Sequence, residues 1–242
     1  MKEKIIGIAF LLLALTSCKS YLFNRKIEKF GAFNTSIQLT KLESNSKEVV
    51  FFPMSHIATE EFYNDTKNKI DSLKKLDYFF FYETLNVSRD DTTTLRKYRK
   101  INGFPIPKPG LRYMYLIDSI YKYKPKKKII DQPSYAKLGV DTLSGKRVDF
   151  DLKDIIEAYE SNYGVIKLEF CDYKTPYYEK STCYDKKIDK KILKTFILSL
   201  RNQKIISEVS LFKRKKIAII YGAEHFVEIK ETLLNNGFKL SN

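Results

Sequence analysis

The sequence predicts a three-layer α/β fold, a central mixed sheet with helices on both faces, built as a single domain. Three observations carry this expectation. Segments 48–53, 78–85 and 216–221 are dense runs of β-branched and aromatic residues, the pattern of strands buried on both faces. Apolar residues at helical spacing follow the first and precede the last. Strand-like and helix-like stretches alternate along the chain, which argues against separate all-α or all-β units.

At the start, Lys2 and Lys4 precede an apolar run at 5–15 that ends in Leu15-Thr16-Ser17-Cys18. This is the pattern of a secretory signal with a lipobox, and the run is shorter than the ~20 residues that span a bilayer. Residues 1–17 are therefore expected to be cleaved and Cys18 to carry diacylglycerol and an acylated amine. That places the chain in a bacterial envelope, lipid-anchored on an extracytoplasmic face. Lys19 gives no inner-membrane retention signal, which points to the outer membrane. The mixed, basic segment 18–34 reads as a tether, and 35–242 as the folded domain.

Within that domain, 36–42 alternates and 48–53 is apolar, so two strands flank the polar turn 43–47. Thr59 can cap a helix whose first turn carries Glu60 and Glu61 and whose apolar face holds Phe62, Tyr63, Ile70, Leu73 and Leu76. The buried strand at 78–85 is interrupted by Glu83. A short helix is expected at 92–101, and a loop at 102–110, where Pro105, Pro107 and Pro109 prevent regular structure. Helices at 112–123 and 152–163 and a strand near 128–131 follow. The polar, Tyr-rich stretch 173–187, with Tyr177, Tyr178 and Tyr184, reads as an insertion or lid. A long amphipathic helix at 188–209 leads to the strand 216–221, the turn 222–225 and a helix at 227–235 stopped by Asn236-Gly237.

The net charge of +15 invites a nucleic-acid partner. Location argues against one, because an envelope protein meets anionic lipid and surface polysaccharide instead. The basic runs 124–128 and 213–216 therefore read as a solvated, membrane-facing surface. Beyond Cys18, Cys171 and Cys183 can form one disulfide in an oxidising compartment; two reduced thiols are the alternative.

The chemistry concentrates on the two histidines. Both His56 and His225 follow a buried strand and a tight turn and precede a helix. In an open α/β sheet the carboxyl ends of strands form the ligand crevice. Glu83 ends a third buried strand, where a carboxylate is costly without a partner. Two imidazoles and a carboxylate form a ligand set for a catalytic divalent metal, and Arg201 can supply a fixed positive charge to an oxyanion. Each residue also has a plain structural role open to it: turn cap for the histidines, ion-pair partner for Glu83, surface residue for Arg201.

The ordered set Pro53-Met54-Ser55-His56, Tyr82-Glu83-Thr84-Leu85, Leu200-Arg201-Asn202 and Gly222-Ala223-Glu224-His225, closed by Asn235-Asn236-Gly237, resembles the TraB/GumN family, which includes the TIKI proteins. The resemblance implies a metal-dependent peptidase or hydrolase, with site positions at His56, Glu83, Arg201, Asn202 and His225. On this expectation His56, Glu83 and His225 hold manganese, cobalt or zinc, and metal-activated water attacks a peptide or ester bond. Arg201 steadies the oxyanion or anchors a peptide carboxylate, and Glu60, Glu224 or Glu228 acts as general base or as a further ligand. The sequence departs from the family at Pro53, where the first motif has Gly, so that this position cannot take a left-handed conformation. A metal-free route, with one histidine activating water, is the variant suggested by erythromycin-esterase-like proteins. Two other readings stand beside the enzyme: a non-catalytic binder of metal, haem or peptide, and a basic module docking on envelope polyanions.

Overall fold

The computed structural model describes residues 19–108, 110–183 and 190–241, without the side chains of 190–195. The expected signal segment and Cys18 lie outside these residues, as do Pro109, Tyr184 and Ile188 and the side chains of Ile192 and Leu193. Among the described residues no helix is long and apolar enough to cross a membrane.

A helix at 19–29 (α1) leads into β1 (Thr40–Glu43), β2 (Glu48–Met54) and the short β3 (Ile57–Ala58). Then come α2 (Glu60–Lys75), β4 (Phe79–Tyr82) and α3 (Thr92–Asn102). One helical turn, α4 (Tyr113–Tyr115), runs into a π-helical stretch (Leu116–Ile120) and is followed by β5 (Ile130–Asp131) and β6 (Gly145–Arg147). The chain closes with α5 (Leu152–Tyr163), α6 (Phe170–Lys174), α7 (Lys190–Leu211), β7 (Lys216–Gly222), a 3-10 turn (Ala223–His225), α8 (Phe226–Asn235) and β8 (Lys239–Leu240).

The main sheet has the order β6-β4-β7-β2-β1-β8. β6, β4, β7 and β2 are mutually parallel, while β1 and β8 add an antiparallel edge. β7 lies between β4 and β2 and is buried on both faces, as its uninterrupted apolar run requires. Its Ala218 and Ile220 join Val50, Phe52 and Phe80 against Phe62 and Ile70 of α2. Its Ile217, Ile219 and Tyr221 face the other way, with Phe51 and Phe81, onto Ile205 and Val209 of α7 and Ile229 and Leu233 of α8. These two apolar layers are the three-layer arrangement expected, and α2 begins where predicted, with Thr59 accepting the Phe62 N–H.

The structure corrects three expectations. Segment 18–34 is no tether over its described part: α1 is docked on 123–126. Asn24 donates to the Lys124 carbonyl (2.9 Å) and accepts the Lys126 N–H (2.9 Å), and Phe23 stacks on Tyr123 (4.7 Å). Ile27, Ala32 and Phe33 then bury with Ile129. The predicted helix at 112–123 is a single turn plus a π-helical stretch. Finally, three strands went unforeseen, β3, β6 and β8, because each is only two or three residues long and carries no strand-length apolar run; β6 is the sequence Gly-Lys-Arg.

Cys171 and Cys183 are joined in a disulfide, which is compatible with an oxidising compartment outside the cytoplasm. The bond closes the segment around Asp172, which is fully buried and faces Arg99 and Lys100. The guanidinium of Arg99 also donates to the carbonyls of Asp172, Thr175 and Pro176, so this segment is folded against α3. Tyr177 binds the Ile106 N–H through its carbonyl, and Tyr178 lies beside Lys108. The described residues of this stretch, 173–183, pack on the proline-rich loop, and none of them lines the cavity described next.

Candidate active site

The four parallel strands deliver one polar group each to the same edge of the sheet. β2 ends two residues before His56, β4 immediately before Glu83, β7 three before His225 and β6 two before Asp149. Asp149 was not foreseen, because the strand that carries it has no apolar signature; its only sequence trace is an acidic residue just ahead of a helix start at Leu152.

α7 brings Arg201 and Asn202 across this edge. The Arg201 Nη2 donates to Glu83 Oε1 (2.6 Å) and to Asp149 Oδ2 (2.7 Å), and Nε donates to Asp149 Oδ1 (2.9 Å). The fork geometry of guanidinium on carboxylate makes this a strong, orienting contact. Glu83 Oε2 accepts the Gly222 N–H (2.5 Å). Burial would raise the Glu83 carboxyl, but Arg201, His56, His225 and that N–H outweigh it and hold the group down at about 2. Burial would likewise lower Arg201, but Glu83 and Asp149 raise it above its ordinary value. Glu83 is thus a carboxylate and Arg201 a cation across the working pH range.

His225 is 3% exposed and meets Tyr221 edge to face at 5.2 Å. Its Nδ1 lies 2.6 Å from Asn202 Oδ1, and Asn202 Nδ2 donates to Glu228 Oε2 (2.8 Å). The carboxylate of Glu228 only accepts, so the amide nitrogen must face it and the amide oxygen must face His225. Nδ1 therefore carries the proton and Nε2 presents a lone pair, 3.4 Å from Arg201 Nη1. Burial lowers the pKa of His225 despite the opposing pull of Glu83. The imidazole is neutral at pH 7, and its 3.7 Å approach to Glu83 is not an ion pair.

His56 is set apart from this cluster. It is exposed, stacks on Tyr113 at 5.0 Å, and lines the same cavity without joining the hydrogen-bonded group around Arg201. Glu224 also lines the cavity, whereas Glu60 sits in the first turn of α2 facing solvent, away from it. Glu228 is committed to Asn202 and Ser199. Of the three expected bases, only Glu224 borders the reactive edge.

Pro53 does not disturb the turn. Among the described residues only Asp77 and Lys122 adopt positive φ outside glycine, so no left-handed conformation is required between 53 and 56. β1 pairs with β2 only as far as Phe51, and beyond that point a missing N–H on the outer side of the strand costs nothing. The register also shows that the position opposite Gly222 is Met54, not Pro53. Gly222 itself has an ordinary φ of −53°, and a Cβ there would press on Glu83 Oε2 at 3.2 Å.

The expected metal set does not fit this arrangement. His56, Glu83 and His225 do not converge: among the described residues the one group of three donors close enough to share an ion is Cys171, Asp172 and Cys183, whose sulfurs are consumed by the disulfide. Both oxygens of Glu83 are already bonded, and the Arg201 cation stands where an ion shared by Glu83 and His225 would sit. What the site offers instead is a neutral imidazole with a fixed tautomer beside a guanidinium that still has a nitrogen facing it. Both open onto a cavity of about 650 Å³.

No protein-family model, curated protein or solved structure matches the chain.

Proposed function

We propose that the chain is an envelope hydrolase of the TraB/GumN type, lipid-anchored at Cys18, that cleaves an ester or peptide bond by a metal-free route. The observation that carries the reading is the fixed tautomer of His225. Its Nδ1–H is held by Asn202, and its Nε2 lone pair faces Arg201 Nη1, both residues lining the cavity. Nε2 accepts a proton from water as the water oxygen attacks the acyl carbon. Arg201 Nη1 donates to the carbonyl oxygen as it becomes an oxyanion, with Glu83 and Asp149 holding the guanidinium in place. The imidazolium then returns its proton to the leaving oxygen or nitrogen. Two carboxylates close by favour the imidazolium once it forms, which lowers the cost of the transfer.

The test is turnover of neutral esters and short peptides in the presence of EDTA, with His225→Gln beside the parent. Hydrolysis by the parent that is lost in the variant supports the metal-free route. Hydrolysis that instead requires manganese, cobalt or zinc, together with stoichiometric metal lost in a His56→Ala/His225→Ala variant, would restore the metal-centred mechanism and require Arg201 to move aside. Binding without turnover would leave a ligand-binding lipoprotein, a reading favoured by the size of the cavity relative to its small polar edge. The anchor is tested separately, by metabolic labelling with an alkyne fatty acid and its loss in Cys18→Ser.

A further inference from the structure

One wall of the cavity is hydrocarbon. Leu22 and Ile27 of α1 and Phe30 just after it face the cavity, together with Phe104 of the proline-rich loop and Leu116 and Ile117 of the π-helical stretch. Leu22, Phe30, Phe104 and Tyr113 are 60%, 38%, 46% and 48% exposed, and all four border this one concavity. Large apolar side chains left open to water and gathered into one cleft of this volume mark a ligand site.

The polar edge restricts the ligand further. Glu83 and Asp149 share the single guanidinium of Arg201, and burial keeps His225 neutral. A ligand group arriving as an anion adds negative charge where carboxylates already outnumber the cation. An uncharged carbonyl accepts from Arg201 Nη1 without that penalty.

We infer that the cavity takes a long-chain acyl ester, its alkyl chain along α1 and the π-helical stretch and its uncharged carbonyl at Arg201 and His225. The fate of the ester rests on the hydrolase reading; the binding of the chain does not. In the reaction, water adds to the carbonyl carbon while His225 takes its proton, the bond from carbon to the ester oxygen breaks, and the alcohol leaves with that proton. The acid product ionises to solvent, and Glu83 and Asp149 then repel its carboxylate. Exposed Lys19 and Lys26 on the cavity border attract it outward.

The experiment uses the full chain dispersed in cholate, which has no alkyl tail to compete. Uncharged monoacylglycerols from butanoyl to dodecanoyl displace the fluorescent apolar probe N-phenyl-1-naphthylamine. Affinity is expected to rise about fourfold per methylene until the wall is covered. The free acid of matching length at pH 8 is expected to bind roughly tenfold more weakly. Phe30→Asp and Phe104→Asp, each with an unchanged circular dichroism spectrum, should both weaken the dodecanoyl ligand. Chain-length-dependent binding with ester turnover supports both readings. The same binding without turnover keeps the acyl site and removes the hydrolase. Affinity that is flat with chain length overturns the inference even if short esters are cleaved, and a free acid that binds as tightly as its ester overturns the uncharged head.

Discussion

Asn202 Oδ1 stands 2.6 Å from His225 Nδ1, and this one contact decides which nitrogen of the imidazole is basic. The two residues come from α7 and from the turn after β7, so the tautomer is set by how a helix crosses the end of a strand.

Asn202→Ala removes the acceptor and leaves Nδ1–H without a partner in a buried setting. The expected outcome is a fall in kcat of roughly 10²- to 10⁴-fold with KM little changed, because the base rather than the binding surface is lost. Steady-state kinetics check this, and a parallel rise in KM of similar size would point to a collapsed cavity instead.

The pH profile carries a second sign. Burial sets the folded pKa of His225 below 6.5, so the neutral base persists to lower pH than in a free imidazole. Activity is expected to be level above pH 6.5 and to fall on an acid limb that lies below it. The same shift acts on stability: as pH drops below 6.5 the unfolded chain takes up the proton first, and the folded state loses stability until His225 itself protonates. A limb centred above 6.5 in kcat/KM would contradict the assignment.

Glu83 adds an independent acid effect. Its carboxyl lies at about 2 in the fold against an ordinary 4.5, so its contribution is complete above 4.5 and is lost as pH falls through 2. Denaturant melts between pH 5 and 2.5 should show the parent losing more stability over that window than Glu83→Gln.

Arg201→Met leaves Glu83 and Asp149 buried without their cation. Breaking a buried pair from one side costs about 3–5 kcal/mol, and adding Asp149→Asn should return part of it by removing one of the stranded charges. Urea unfolding of the single and double variants measures both. Equal midpoints for parent and Arg201→Met would mean the cluster is not buried in solution.

Reducing the bond between Cys171 and Cys183, which are 12 residues apart, should lower stability by about 3 kcal/mol through the freed loop. Thermal melts with and without reductant check it. Turnover by the reduced protein should survive below the melt, since this loop does not border the cavity.

Much of the architecture was legible from residues alone. The runs at 48–53 and 216–221 are apolar on both faces, and only a central strand position buries both. Thr59 with Glu60 and Glu61 announced the start of α2 through local hydrogen bonding and helix polarity. His56, Glu83 and His225 could be assigned to one sheet edge because parallel strands all end on the same side. Local chemistry and period determine such features, and they do not depend on partners far along the chain.

Tertiary structure decided the rest. Asp149 lies 52 residues from Arg201 and joins it only because β6 pairs with β4. No local pattern encodes that pairing in a Gly-Lys-Arg strand. The same holds for α1, whose basic, mixed sequence reads as a linker until residues some hundred positions away supply the groups that dock it. Above all, the two carboxylates of Glu83 and Asp149 close on Arg201 rather than leaving Glu83 open to an ion, because a buried anion takes the nearest cation that geometry permits. Sequence could name the groups at the edge; only the packing of α7 across the sheet determined which of them bond to one another.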